Sequence, residues 1–230
     1  MAGSPENRRA VAAAGALPLL ADLLLSGTPE ARSYAASALG NAMAGNPDNR
    51  RAVAEAGALP RLSELLSSAK PVARMNAANA LGNAMAGSAE NRRACAAAGA
   101  LPRLIRMLLK GNPEAQMIAA FALGHAMTEN ADNTHVVVAA GALPLLVEML
   151  SVGAPEARGY AAHALGHAMA GSAAARRILT GAGVVPLLTL LLAGGTPEAR
   201  RNAAFALGSA MGDGAAENKH AAASRGPCLC

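Results

Sequence analysis

His163 and His167 stand four residues apart, a spacing that puts two imidazoles on one side of a helix, and His125 lies 42 residues before His167. Imidazole nitrogens are good zinc ligands, and helices packed ~8–10 Å apart can aim such side chains at a common point. His125, His163 and His167 are therefore the residues that could hold a metal. No carboxylate or Cys near them completes a catalytic set, so the expected role is as binding residues on an open face, with no cofactor. Imidazoles that titrate near pH ~6.5 would make that binding pH-sensitive.

Two other patterns could carry chemistry. Arg8-Arg9, Arg50-Arg51, Arg92-Arg93 and Arg176-Arg177 recur at matching places, with Asn133-Thr134-His135 breaking the row. Such a basic edge could contact phosphates. Glu6, Asp48 and Glu90 partly neutralise it, and a formal net charge of +5 is modest. A solvated face is expected, and nucleic acid is not the expected partner. Cys228-Leu229-Cys230 resembles the doubly prenylated tail of some small GTPases. It falls where a further repeat would begin its second helix, so membrane attachment is not expected. Cys95, Cys228 and Cys230 are too few for a disulfide framework, which points to a reducing compartment, cytoplasmic or nuclear. No nucleophile–base pair, phosphate loop or carboxylate dyad recurs, so no enzyme is expected.

The elements that position these residues are repeats. The segment Tyr34 to Ala44 returns as Asn76 to Ala86, Ile118 to Thr128, Tyr160 to Ala170 and Asn202 to Gly212. Asn41, Asn83, His125, His167 and Ser209 are each 42 positions apart, a period typical of stacked helical arrays. Each repeat reads as three helices. The first runs from about Pro5 to Ala14 and ends at Gly15, which suits a left-handed C′ position. Pro18 is placed at the first position of the second helix, whose body Leu19 to Leu25 is apolar nearly all round and predicted buried. Thr28-Pro29-Glu30 caps a third helix that reaches about Ala44 and closes at Gly45. Arg8-Arg9 and the apolar run behind it mimic a secretion signal, but the same pattern returns at Arg50-Arg51. Pro, Asp, Glu or Arg breaks every apolar run before it is long enough to span a bilayer.

The turn Gly15-Ala16-Leu17-Pro18 between a short and a longer helix, followed by a third helix, resembles the armadillo repeat along essentially the whole chain. The resemblance implies an all-α fold, a right-handed armadillo-type α-solenoid of three-helix repeats over residues 1–230. The repeats fall at about 2–45, 46–87, 88–129, 130–171 and 172–213, with 214–230 as a partial sixth repeat or tail. Solenoid ends normally carry polar caps, and neither end here reads as one. The expectation is a fragment of a longer array or an array that associates end to end.

A helical wheel at ~100° per residue divides the third helix. Ala35, Ala36, Leu39, Ala42 and Met43 form the core side. The opposite side carries a stripe: Tyr34/Ser37/Asn41, Asn76/Asn79/Asn83, Ile118/Phe121/His125, Tyr160/His163/His167 and Asn202/Phe205/Ser209. Every Phe and Tyr of the chain, two of each, lies in it, as do three of the five His. An aromatic track facing away from the core is a binding signature. In armadillo proteins the matching stripe lines a concave groove, where an Asn column bonds an extended peptide backbone and a Trp column forms side-chain pockets. Asn41 and Asn83 match the Asn column; Ser37, Asn79, Phe121, His163 and Phe205 replace the Trp column. The resemblance thus implies a scaffold for an extended protein segment. With no Asp, Glu, Lys or Arg in the stripe, that segment is expected to be largely uncharged, anchored by aromatic or aliphatic groups. The recurring Gly40, Gly82, Gly124, Gly166 and Gly208 admit two readings, close approach of a ligand backbone or close packing of third helices, and packing is the expected one.

Overall fold

The computed structural model describes residues 4–212, and all of their regular structure is helical. The segment read as a partial sixth repeat or tail, with Cys228 and Cys230, lies outside the described residues. Two compact units divide the chain, Met1–Ala126 and Met127–Cys230. The first holds α1 (Pro5–Ala13), α2 (Ala16–Ser26), α3 (Pro29–Met43), α4 (Pro47–Glu55), α5 (Ala58–Leu65), α6 (Pro71–Met85), α7 (Ala89–Ala97) and α8 (Ala100–Lys110), and α9 (Pro113–Met127) closes it. The second holds α10 (Ala131–Ala139), α11 (Leu143–Val152), α12 (Pro155–Gly171), α13 (Ala173–Gly181), α14 (Val184–Gly194) and α15 (Pro197–Met211).

Local chemistry sets the helix ends. Ser4, Asn46, Ser88, Asn130 and Ser172 cap the five first helices, each side-chain oxygen accepting an N–H three residues on. Thr28, Asn112 and Thr196 do the same for third helices, each ahead of a proline whose missing N–H costs nothing there. Second helices begin earlier than the proline suggests. They start at Ala16, Ala58, Ala100 and Val184, so that Pro18 stands in the third position and not the first. The reason is that no N–H of a helix's first turn needs an intrahelical partner, so proline fits anywhere in that turn. Gly15, with φ of 73°, makes the left-handed bend between first and second helices. The bend after the third helix is left-handed at Gly45 and Gly87, but the equivalent residue of the third repeat is Glu129, with φ of 47°. In the fourth repeat the helix runs on through Gly171.

Two kinds of buried side chain make the core. Leu39, Met43, Leu81, Met85, Leu165 and Met169 are fully buried, with alanines between them. The second helix is buried as expected in α8, through Leu104, Ile105 and Leu108. In α2 only Leu17, Ala21 and Leu24 are buried, while Leu19 and Leu25 are 69% and 51% exposed. Within its unit α2 packs on α1, α3, α4 and α5, and Leu19 and Leu25 are left on its open side.

Three of the recurring helix-interior glycines, Gly40, Gly82 and Gly166, are packing notches. A Cβ on Gly40 would sit 3.2 Å from the Ala80 Cα, so α3 and α6 approach there backbone to backbone. One on Gly82 would sit 3.2 Å from the Ala122 Cα and would overlap the Phe121 ring. Gly166 stands likewise against Ala206 and Phe205, whereas Gly208 has nothing within 4 Å. Inserting a methyl into such a contact costs about 1–3 kcal/mol, while relief of an exposed helical glycine gains about 1 kcal/mol. Gly82→Ala is therefore expected to lower the urea midpoint of unfolding and Gly208→Ala to raise it. Shifts of the same sign would show that the notch plays no part in packing.

Candidate functional site

Within the first unit, third helices α3, α6 and α9 carry the stripe residues Tyr34, Ser37, Asn41, Asn76, Asn79, Asn83, Ile118, Phe121 and His125. Tyr34 is 76% exposed and Asn41 is exposed; the rest are half-buried. Within the second unit, α12 and α15 carry Tyr160, His163, His167 and Ser209, which are half-buried, and Phe205, which is exposed. Asn202 is the exception. It is 7% exposed and its Nδ2 donates to the Gly159 carbonyl at 3.1 Å, so it pins α15 to α12 instead of facing a ligand. The wheel put it on the stripe because its Cα direction is right; the neighbouring helix at Gly159, lacking a Cβ, comes close enough to cover it.

The same bonding recurs in the first unit. Asn76 Nδ2 donates to both Ser33 O and Ser33 Oγ at 3.1 Å, and Asn83 Nδ2 donates to Gly40 O at 3.3 Å. Each bond runs from a third helix back to the one before it. Asn83 keeps its carbonyl and one N–H for other partners, since a primary amide has two donors and an acceptor. Asn41 and Asn79 have no hydrogen-bond partner among the described residues, which leaves both amides whole.

Aromatic edges organise the remainder. Phe121 packs its ring edge-to-face on His125 with centroids 4.8 Å apart. In the second unit His167 touches His163 at 4.6 Å and Phe205 at 4.6 Å, and its Nε2 lies 3.3 Å from Thr128 Oγ1. Burial pushes the His163 imidazole down to about 4, with the nearby Arg201 charge acting in the same sense. His163 is thus neutral throughout the physiological range, and the expectation of a titrating His pair fails at this member. Burial, then Glu198 and Glu156, raises the Tyr160 hydroxyl above its usual range and keeps it a neutral donor. Among the described residues no three His, Cys, Asp or Glu side chains are grouped to hold a metal, so the reading of His125, His163 and His167 as a metal site finds no support.

The basic edge is half the size that the Arg pairs suggest. Arg9, Arg51, Arg93 and Arg177 are exposed, but Arg92 is 4% exposed, and the Nε atoms of Arg8, Arg50 and Arg176 are buried. Arg92 Nη1 donates to Met85 O and Arg176 Nη2 to Met169 O, closing the carbonyl ends of α6 and α12. Beside them Asn49 and Asn91, buried, donate to Ala42 O and Ala84 O at 2.8 and 2.9 Å. Sequence reasoning missed this Asn column, although its recurrence just before three of the four Arg pairs was a visible signal. Cys95 is a free buried thiol, pushed up to about 12 by burial and so inert as a nucleophile.

Residues 4–44 and 46–86 match the family described as Armadillo/beta-catenin-like repeat. The fold is similar to that of a designed armadillo repeat protein, 31% identical over 91% of this chain and 88% of that one, with a TM-score of 0.77. It is similar to computationally designed armadillo repeat proteins for modular peptide recognition, 31% identical over 90% of this chain and 87% of that one, TM-score 0.74. A designed armadillo repeat protein in complex with the peptide (KR)4 is 29% identical over 90% and 87% of the two chains, TM-score 0.74. No curated protein sequence matches the chain.

The His163 environment has a consequence for acid stability. The unfolded chain takes up a proton near the ordinary pH of ~6.5, while the folded chain resists until about 4. Stability is therefore lost as pH falls from ~6.5 toward 4 and is unaffected by this group above that window. Urea midpoints of the wild type should drop between pH 7 and pH 4.5, and by less in His163→Gln. An equal drop in both proteins would show that His163 is not the buried base.

Proposed function

The chain belongs to the armadillo repeat family, and we propose that it is a non-enzymatic scaffold holding an extended, largely uncharged segment of a partner protein along its third helices. The observation that carries this reading is the state of the stripe. In a chain with two Tyr and two Phe, a Tyr at 76% exposure beside two uncommitted amides, Asn41 and Asn79, needs a partner to account for it. An extended peptide presents unpaired N–H and C=O groups along its length. A primary amide answers both at once and does so whatever the side chains of the peptide are.

Specificity then falls to the aromatic positions. Phe121 rests over the notch at Gly82 and Phe205 over that at Gly166, each leaving part of its ring at the surface as a flat apolar contact. No stripe position is Asp, Glu, Lys or Arg. The designed relative bound to (KR)4 holds a strongly basic peptide. The stripe here has no counter-charge for such a ligand, so aliphatic or aromatic anchors are the better match, with electrostatics contributing little.

A displayed peptide library selected against the wild type and against Tyr34→Ala/Asn41→Ala/Asn79→Ala tests the reading. The variant changes exposed or half-exposed groups that no described residue bonds, so its fold should persist, as circular dichroism would verify. Peptides enriched by the wild type are expected to bind the variant at least tenfold more weakly. Equal enrichment of the same peptides by both proteins would place binding elsewhere.

A further inference from the structure

A cleft of about 510 Å³ opens in the first unit, bounded by α5, α6, α8 and α9. Its cations are Arg74, Arg103, Arg106 and Lys110, and no carboxylate lines it. None of the stripe residues lines it either, so it stands independently of the amide and aromatic face. Arg103, Arg106 and Lys110 follow one another at i, i+3 and i+7 along α8, which places them on one side of that helix. The row is about 10 Å long at the helical rise of ~1.5 Å per residue.

The charge is peculiar to the third repeat. Where α8 has Arg106, the other second helices have Asp22, Glu64, Glu148 and Leu190. Where it has Lys110, they have Ser26, Ser68, Val152 and Gly194. Arg106 and Lys110 are exposed and have no carboxylate partner among the described residues. Lys70, by contrast, is already paired with Glu30. The two inner guanidiniums are held in place. Arg74 Nη1 donates to Ser68 O at 2.8 Å and to Ala69 O at 3.1 Å. Arg103 Nη1 donates to Gly99 O at 2.7 Å and to Ala98 O at 3.1 Å, and its Nε to Ser67 Oγ at 3.1 Å. Arg74 Nη2 and Arg103 Nη2 remain as positioned donors.

We propose that this cleft binds an acidic peptide segment, one carrying two carboxylate side chains on the same face of an extended strand. Carboxylates two residues apart in such a strand are separated by ~6.8 Å, within the reach of a ~10 Å row of long cationic side chains. Leu66, Met75 and Met107 supply apolar lining against which the stems and backbone of the peptide pack. A polynucleotide fits less well. Single strands bind by stacking bases on aromatic rings, and the lining contains no aromatic residue.

The test uses the full chain and fluorescence anisotropy at 50 and 200 mM salt. The probe is a fluorescein-labelled hexapeptide alternating Glu and Ala, with its Gln–Ala counterpart and an oligouridylate of equal length as comparators. The acidic peptide is expected to bind, to weaken several-fold at the higher salt, and to lose at least tenfold in affinity to Arg106→Glu/Lys110→Glu. The comparison variant Arg51→Glu/Arg93→Glu, changing exposed cations of the first helices, is expected to lose less than twofold. The proposal is overturned if the Gln peptide binds as tightly as the acidic one, or if both variants lose affinity equally. Tighter binding of the oligouridylate, abolished by Arg106→Glu/Lys110→Glu, would reassign the cleft to nucleic acid.

Discussion

Backbone-to-backbone approach of consecutive third helices is the constraint on which the rest of each unit depends. Ala80 can come within contact of Gly40, and Ala206 of Gly166, because one partner has no side chain and the other has only a methyl. A helix-interior glycine costs about 1 kcal/mol against alanine, so the notch must be repaid by the packing it permits. That packing is dense with small groups: Ala35, Ala36, Ala77 and Ala78 are buried along with the larger Leu39, Met43, Leu81 and Met85. With the helices so close, side chains on the far side of each third helix are brought into register with those of the next, and a stripe results.

Closeness also explains why amides in the same stripe have different roles. Asn76, Asn83 and Asn202 each reach a carbonyl on the preceding helix, at Ser33, Gly40 and Gly159. An N–H to a backbone carbonyl that is otherwise half-satisfied adds an interhelix tie worth about 1 kcal/mol. Asn41 and Asn79 make no such bond and keep their full capacity for a ligand. The array thus spends one residue type on two tasks, holding helices together and offering hydrogen bonds outward, and the difference lies in what each amide can reach.

Charge is distributed by a similar rule. Six arginines are structural: Arg32, Arg74, Arg158 and Arg200 donate to carbonyls at or just beyond the ends of second helices, and Arg92 and Arg176 to the ends of third helices. Cations at helix C-termini satisfy orphan carbonyls and offset the negative dipole end. Once these are set aside, the stripe has no Asp, Glu, Lys or Arg. Arg106 and Lys110 on α8 line a cleft without a carboxylate, whereas the exposed Arg9, Arg51 and Arg93 of the first helices each have an acid three residues before them. A modest formal charge of +5 therefore conceals a local concentration that composition cannot locate.

The fold class, the three-helix repeat, the cap at Thr28 and the core columns of the third helix were legible in the sequence, because they depend on short-range chemistry. Periodic Leu39 and Met43, the left-handed Gly15 and the cap at Thr28 follow from spacing and residue type alone. The direction of the stripe was legible for the same reason, since a helical wheel needs only one helix. What the wheel could not see was the neighbouring helix. Only tertiary contact decided that Asn202 is a buried pin, that Arg92 is an interior cap, and that burial suppresses the charge of His163. Asn202 bonds a carbonyl 43 positions back in the chain, Arg92 one only seven back that the turn between α6 and α7 brings alongside it, and the Arg201 charge that acts on His163 comes from a different helix.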